Sequence, residues 1–263
     1  MNSFFRLLGY SVKRDFLQQG VTGFLLQGVK WVCFVAFWYF IAQAFGRIVP
    51  TGGDYFTFSL VGLAFVQYLW TVVSYFSQQV RKGLSLPAFS LFWSSPFSFP
   101  LLIFSAGIWN ILSACLNSGL ILVVGTYVFG ANLKGFWIFQ MMGIGLVVSI
   151  SMGCLGILFG VSTQMVGLGN GLRPLLMRFI LISSGIFFPL QLLPDQLVWA
   201  AYCFPLTHAL ILARGFSETP LSAHFQTQAW SGLLGTSVFF ILAAYVVLRL
   251  ALRQVRSVGL SRK

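Results

Sequence analysis

Apolar residues run through this chain in long stretches, and polar residues gather in the gaps between them. Val29–Phe45, Phe56–Ser77, Leu101–Phe129, Phe136–Val161 and Trp230–Leu250 each reach or exceed the roughly 17–25 residues that let an α-helix cross a bilayer. A sixth run begins near Leu175 and extends to about Pro189. The pattern predicts an all-α integral membrane protein with six transmembrane helices. Ala42-Gln43-Ala44 has the small-residue form of a signal-peptidase site. A leader ending there would carry about thirty residues before its apolar run, far too many, so the run is expected to be a retained span.

Residues 1–27 read differently. Phe4, Phe5, Leu8, Val12 and Phe16 recur at helical spacing, with Arg6, Lys13, Arg14 and Asp15 among them. That predicts an amphipathic helix lying in the membrane interface, with a solvated helix docked on a partner as the alternative. Residues 28–263 then form a single transmembrane domain.

The gaps have their own character. Arg47–Tyr55 holds Pro50, Gly52, Gly53 and Asp54 and predicts a turn, as does Gly130–Gly135. Ser162–Arg178 is a short polar loop with Gly167, Gly169, Gly171, Arg173 and Pro174. Gln78–Phe99, with the sequence QQVRKGLSLPAFSLFWSSPFSF, is the longest interruption on its side of the membrane. Across 190–228, Pro194, Pro205 and Pro220, with Pro189 just before them, cut the chain into pieces. Leu197–Phe204 and Thr207–Phe216 are apolar but too short to cross, and they predict re-entrant or interfacial helices before the last span.

Composition agrees with a lipid solvent. The 263 residues are 58% hydrophobic and 8% charged, where a soluble domain has about a quarter charged residues. Mean hydropathy is +0.88. The net charge of +12 does not point to nucleic acid, because no basic stripe with interleaved aromatics sits on a soluble segment. It orients the chain instead. With both termini cytoplasmic, the inner segments hold Arg6, Lys13, Arg14, Lys30, Arg81, Lys82, Arg173, Arg178, Arg249, Arg253, Arg256, Arg262 and Lys263. The outer segments hold only Arg47, Lys134 and Arg214, together with Asp54, Asp195 and Glu218. Basic residues concentrate on the cytoplasmic side of membrane proteins, so this is the expected topology, in the cell (inner or plasma) membrane.

The fourth run carries Ser149, Gly153, Gly156 and Gly160. This spacing suits close helix approach, although glycine is also simply common in spans. Cys33, Cys115, Cys154 and Cys203 lie far apart, without metal-ligand spacing, and are expected to be small apolar fillers.

Catalytic motifs are missing. There is no Gly-Lys-Ser/Thr for nucleotide phosphates, no His-Glu-x-x-His, no Gly-x-Ser-x-Gly and no paired carboxylates. His208 and His224 fall in the broken outer region and are expected to be satisfied or solvated side chains. No enzyme activity, cofactor or metal site is expected in this chain. An ion-coupled carrier or a membrane enzyme would need a polar constellation within a span. The amides Asn110, Asn117, Gln140 and Gln164 are isolated, and they line a pathway or bond between helices.

Two local patterns resemble the permease subunit of ABC transporters of the type-2 export class. One is Arg81-Lys82-Gly83 followed by Ser94-Ser95-Pro96-Phe97-Ser98. The other is Ser184-Gly185-Ile186-Phe187-Phe188-Pro189-Leu190, then Leu193-Pro194, Phe204-Pro205-Leu206-Thr207-His208-Ala209 and Arg214-Gly215. Family members often have acidic residues around the first glycine; here Gln78, Gln79 and Ser85 stand there instead. The resemblance implies two permease copies forming a pathway, as a likeness to a homodimer, with ATP and Mg held by a separate ATP-binding subunit. It implies that 78–99 couples to that subunit through Arg81, Lys82, Gly83, Phe89, Phe92, Trp93, Ser95 and Pro96. It implies an external gate made of Phe187, Phe188, Pro189, Pro194, Pro205, His208 and Arg214. The aromatic share of 17% favours an apolar or amphipathic cargo, such as a drug or lipid, slightly over a polysaccharide.

Overall fold

The computed structural model describes residues 26, 28–44, 55–84, 99–165, 172–217 and 223–261. The N-terminal helix expected over 1–27, the turn at 47–54 and most of the 78–99 loop fall outside them. Every regular element among the described residues is helical. In chain order these are α1 (Gly28–Ala44), α2 (Tyr55–Leu84), α3 (Phe99–Tyr127), α4 (Gly135–Met165), α5 (Leu172–Ser183), α6 (Asp195–Tyr202), α7 (Pro205–Ser217) and α8 (Ala223–Ser261).

α2 is the centre of the bundle. Its mean hydropathy is high, and 89% of its most apolar window is buried. All residues from Tyr55 to Gln67 are buried, as expected of a helix that is apolar on every side. Its large side chains seat on glycines of its neighbours. Leu60 packs on Gly125 of α3, Tyr68 on Gly145 of α4, and Phe76 between Gly107 of α3 and Gly153 of α4. At Gly156 a Cβ would come within 2.7 Å of the Val73 carbonyl, and at Gly160 within 2.8 Å of that of Ser77. The small residues of α4 therefore do bring two backbones together. Ser149 is buried there too, bonded to the Gly145 carbonyl at 2.8 Å.

Midway, Tyr68–Val72 forms a π-helical turn, which shifts the facing of Val73–Leu84 relative to Tyr55–Gln67. The helix does not end at Ser77, where the apolar run thins, but continues to Leu84. Gln78–Leu84 keeps an amphipathic pattern, with Val80 and Leu84 buried, and that is enough to hold the helix together.

The fifth span is shorter than the apolar run Leu175–Pro189 predicts. α5 ends at Ser183, and its 12 residues rise only about 18 Å, against the roughly 30 Å of a hydrocarbon core. Gly185 takes φ +74°, a left-handed conformation that stops the helix, and Pro189 opens a 3-10 turn over Leu190–Leu192. Four described helices are long and apolar enough to cross a membrane. The number is five if α6 and α7, bent by 93° at Cys203–Phe204, count as one broken span.

Cys115 and Cys154 are buried fillers as expected, whereas Cys33 and Cys203 are exposed. All four are free thiols. Asn117 accepts a bond from the Trp31 indole at 3.2 Å, joining α3 to α1, so this amide bonds between helices.

The helix ends sort into two groups. At one end, Tyr39 of α1 packs on Phe56 of α2 and on Phe129 of the α3–α4 turn. The Asn132 backbone N–H donates to Thr57 Oγ1 at 3.3 Å. At the other end, Phe76 of α2 meets Phe104 near the start of α3, with Gly153 and Gly156 of α4 against Phe76 and Leu248–Arg253 of α8 near Phe104.

Candidate functional site

The segment between α5 and α6 is built around one cation. Arg214, near the end of α7, donates to the Gly185 carbonyl at 2.7 Å and to the Ile186 carbonyl at 2.8 Å. A third, longer bond of 3.4 Å reaches the Phe58 carbonyl on α2. The guanidinium lies over the Phe58 ring, 3.5 Å from its centroid. A planar fork that donates in several directions and also stacks is what arginine supplies and lysine does not. Ile186 is fully buried, and its carbonyl rests on Gly62 of α2, where no side chain fits. Tyr55 Oη donates to the Phe187 carbonyl at 3.3 Å. The Phe187 ring stacks on Trp38 of α1, at 4.7 Å between centroids and 11° between planes. Residues 184–188 are thus clamped between α1, α2 and α7.

The remaining residues expected in the outer gate are placed as follows. Phe188 is half exposed. Pro189 and Pro194 precede the 3-10 turn and α6, and Pro205 is the first residue of α7, where a missing N–H costs nothing. A cavity of about 390 Å³ lies beside Arg214, lined also by Phe58, Pro189, Leu190, Asp195 and Tyr202. His208 belongs to a different contact: its Nε2 lies 3.0 Å from the Tyr202 carbonyl, and its ring covers Gly232 of α8. It bonds the end of α6 and packs on α8 rather than joining the Arg214 cluster. Among the described residues no group of side chains is arranged to hold a metal.

Tyr55, Phe58, Trp38 and Gly62 complete the clamp and were not singled out from the sequence. Phe58, Trp38 and Gly62 sit in apolar runs where nothing local distinguishes them, and Tyr55, expected in the preceding turn, is instead the first residue of α2. The one available signal was Gly185, in the Ser-Gly step that opens the second quoted pattern.

Of the residues expected to couple to an ATPase, Arg81, Lys82 and Gly83 form the last turn of α2. Arg81 is half-buried, Lys82 exposed and Gly83 buried. Two cations there complement the partial negative charge of a helix C-terminus. Phe89, Phe92, Trp93, Ser95 and Pro96 lie outside the described residues.

With every regular element among the described residues helical, several of them long and apolar and the central one buried, the chain is a multi-pass membrane protein. The family profile for ABC-2 type transporters matches residues 6–217, most of the chain, and the protein belongs to that family. It is therefore an ABC transporter permease, a transport component that is not itself catalytic, of a kind that generally pairs with an ATP-binding subunit and forms dimers. No curated protein matches the chain.

Proposed function

We propose that this permease is the membrane half of an ATP-driven exporter, worked from the cytoplasmic side through the segment that follows α2. The observation that carries the reading is the continuity of α2. Its 30 residues, about 45 Å of helix, run from the clamped segment at one end to the Arg81-Lys82-Gly83 turn at the other. Tyr55, Phe58 and Gly62 at its start hold residues 184–188. A push on its far end reaches that segment through a packed rod rather than a loose loop. Two permease copies enclose the pathway, and the second copy is a further molecule of this chain. ATP and Mg are held by the separate subunit.

In this reading both termini are cytoplasmic, in the cell membrane, as the basic residues favour. Six passes then follow, with α1, α2, α3, α4 and α8 as spans, the short α5 completed as the fifth by the clamped residues 184–188, and α6–α7 re-entrant on the outside. Residues 1–27 lie on the inner interface ahead of a single transmembrane domain, 28–263. The coupling contact is Arg81, Lys82 and Gly83 with Phe89, Phe92, Trp93, Ser95 and Pro96. The outer gate is Phe187, Phe188, Pro189, Pro194, Pro205, His208 and Arg214, and the cavity beside Arg214 serves as the exit.

Affinity purification tests it. The tagged permease is expected to bring down a soluble protein with a nucleotide-binding lysine loop. Replacing Phe89–Trp93 with alanines is expected to weaken that association while leaving the permease folded. Substrate movement down an ion gradient by the purified permease alone, in vesicles without ATPase, would falsify the reading.

A further inference from the structure

A groove of about 550 Å³ opens between α3, α4 and α8 at the end of the bundle where α2 and α4 finish. Its walls are apolar: Phe104, Cys154, Ile157, Ile241, Ala244 and Leu248. Along α8 the lining changes character. Ile241, Ala244, Tyr245 and Leu248 give way to Arg249, Leu252 and Arg253. The Arg249 guanidinium sits over the Tyr245 ring, 4.5 Å from its centroid, which holds the charge at the mouth of the apolar trough. From Ile241 to Arg253 the helix rises about 18 Å, close to the roughly 15 Å of one leaflet's hydrocarbon. The chain's four acids, Asp15, Asp54, Asp195 and Glu218, all lie outside α3, α4 and α8. The helices that line the groove therefore supply cations and no carboxylate to answer them.

An apolar groove whose α8 wall runs about the length of one leaflet and ends in two arginines fits a molecule with an acyl tail and an anionic head. We propose that this groove binds an anionic phospholipid of the cytoplasmic leaflet, its tail along Ile241–Leu248 and its phosphate on Arg249 and Arg253. Guanidinium donors suit phosphate oxygens, and basic pockets between membrane helices on the cytoplasmic side select acidic lipids. The lipid wedges α8 against α3 and α4, where α8 is otherwise little buried. The inference takes its choice of leaflet from the proposed orientation and nothing from the ATPase, so binding is measured on the purified permease alone.

Native mass spectrometry or a fluorescent-lipid titration in neutral detergent compares phosphatidylglycerol with phosphatidylcholine. The wild-type protein is expected to prefer phosphatidylglycerol. In Arg249→Gln/Arg253→Gln that preference is expected to fall by more than about tenfold, because each basic group near a lipid surface is worth roughly fivefold. Arg262→Gln/Lys263→Gln, which removes equal charge from the tail, is expected to keep it. Ala244→Phe, which fills the trough and spares the arginines, is expected to weaken phosphatidylglycerol binding as well. Thermal unfolding of each variant shows whether it is folded. Equal binding of the two lipids, an unchanged Arg249/Arg253 variant, or an equal loss in the tail variant overturns the proposal. Competition by soluble glycerol phosphate at the lipid's own concentration overturns it too, since the site would then take a free phosphate rather than a lipid.

Discussion

Arg214 does several jobs with one side chain. It holds two successive carbonyls of a segment that has left its helix, and it covers an aromatic ring on the central helix. Taking it away leaves the Gly185 and Ile186 carbonyls without the charged donor, at a cost of about 2–3 kcal/mol. Arg214→Met is therefore expected to lower the thermal midpoint of the purified permease. Arg214→Lys is expected to recover only part of the loss, because an ammonium cannot fork across both carbonyls while lying flat on Phe58. Full recovery by lysine would mean that charge alone matters and that the fork is incidental. The sequence put Arg214 in the right region, five residues after Ala209 in a recognisable run. It gave no hint of Phe58, which looks like any other aromatic in a span, or of Tyr55, which reads as the end of a turn; both lie more than a hundred residues earlier.

At the scale of elements, α2 and α4 are fitted to each other by glycines on one helix and bulk on the other. Gly156 and Gly143 lie in the same helix and differ in what they face. A Cβ at Gly156 meets the Val73 carbonyl and Phe76, whereas nothing lies within 4 Å of one at Gly143. Gly156→Val is expected to force α2 away from α4 and destabilise the permease by about 1–3 kcal/mol. Gly143→Ala is expected to stabilise it by up to about 1 kcal/mol through helix propensity alone. Thermal unfolding of the two variants in the same detergent checks the contrast, and equal effects would remove the packing argument. The glycine spacing in α4 was legible as a pattern, but which helix it received was not. The fifth span misled in the opposite way. Hydropathy carries the run Leu175–Pro189 without a break, while Gly185 and the demands of the Arg214 clamp end the helix at Ser183.

For the whole molecule, topology can be tested with a native thiol. Cys203 is exposed at the bend between α6 and α7, and Cys115 and Cys154 are buried. In a protein whose Cys33 is replaced by Ser, Cys203 is expected to react with a membrane-impermeant maleimide added outside intact spheroplasts. A cysteine introduced as Val258→Cys, on a background lacking Cys33 and Cys203, is expected to react only after lysis. Labelling in the reverse order would invert the proposed orientation and move the Arg81-Lys82-Gly83 turn to the outer surface, away from any cytoplasmic ATPase.

Class, membrane environment and the favoured orientation were properties of the sequence alone. They depend on sums over many residues: how much of the chain is apolar, how long its runs are, and on which side its cations collect. Such sums survive the loss of every contact, because lipid acts on each segment independently. The family pattern around Ser184–Pro189 and Pro205–Arg214 was likewise local and could be read directly. The tertiary structure decided the rest: the continuation of α2 to Leu84, the short α5, the glycine seats for Leu60, Tyr68 and Phe76, and the groove beside Arg249. Each of these depends on side chains that meet across distant parts of the chain. There the energy lies in close packing and in satisfied backbone groups, which no single segment contains.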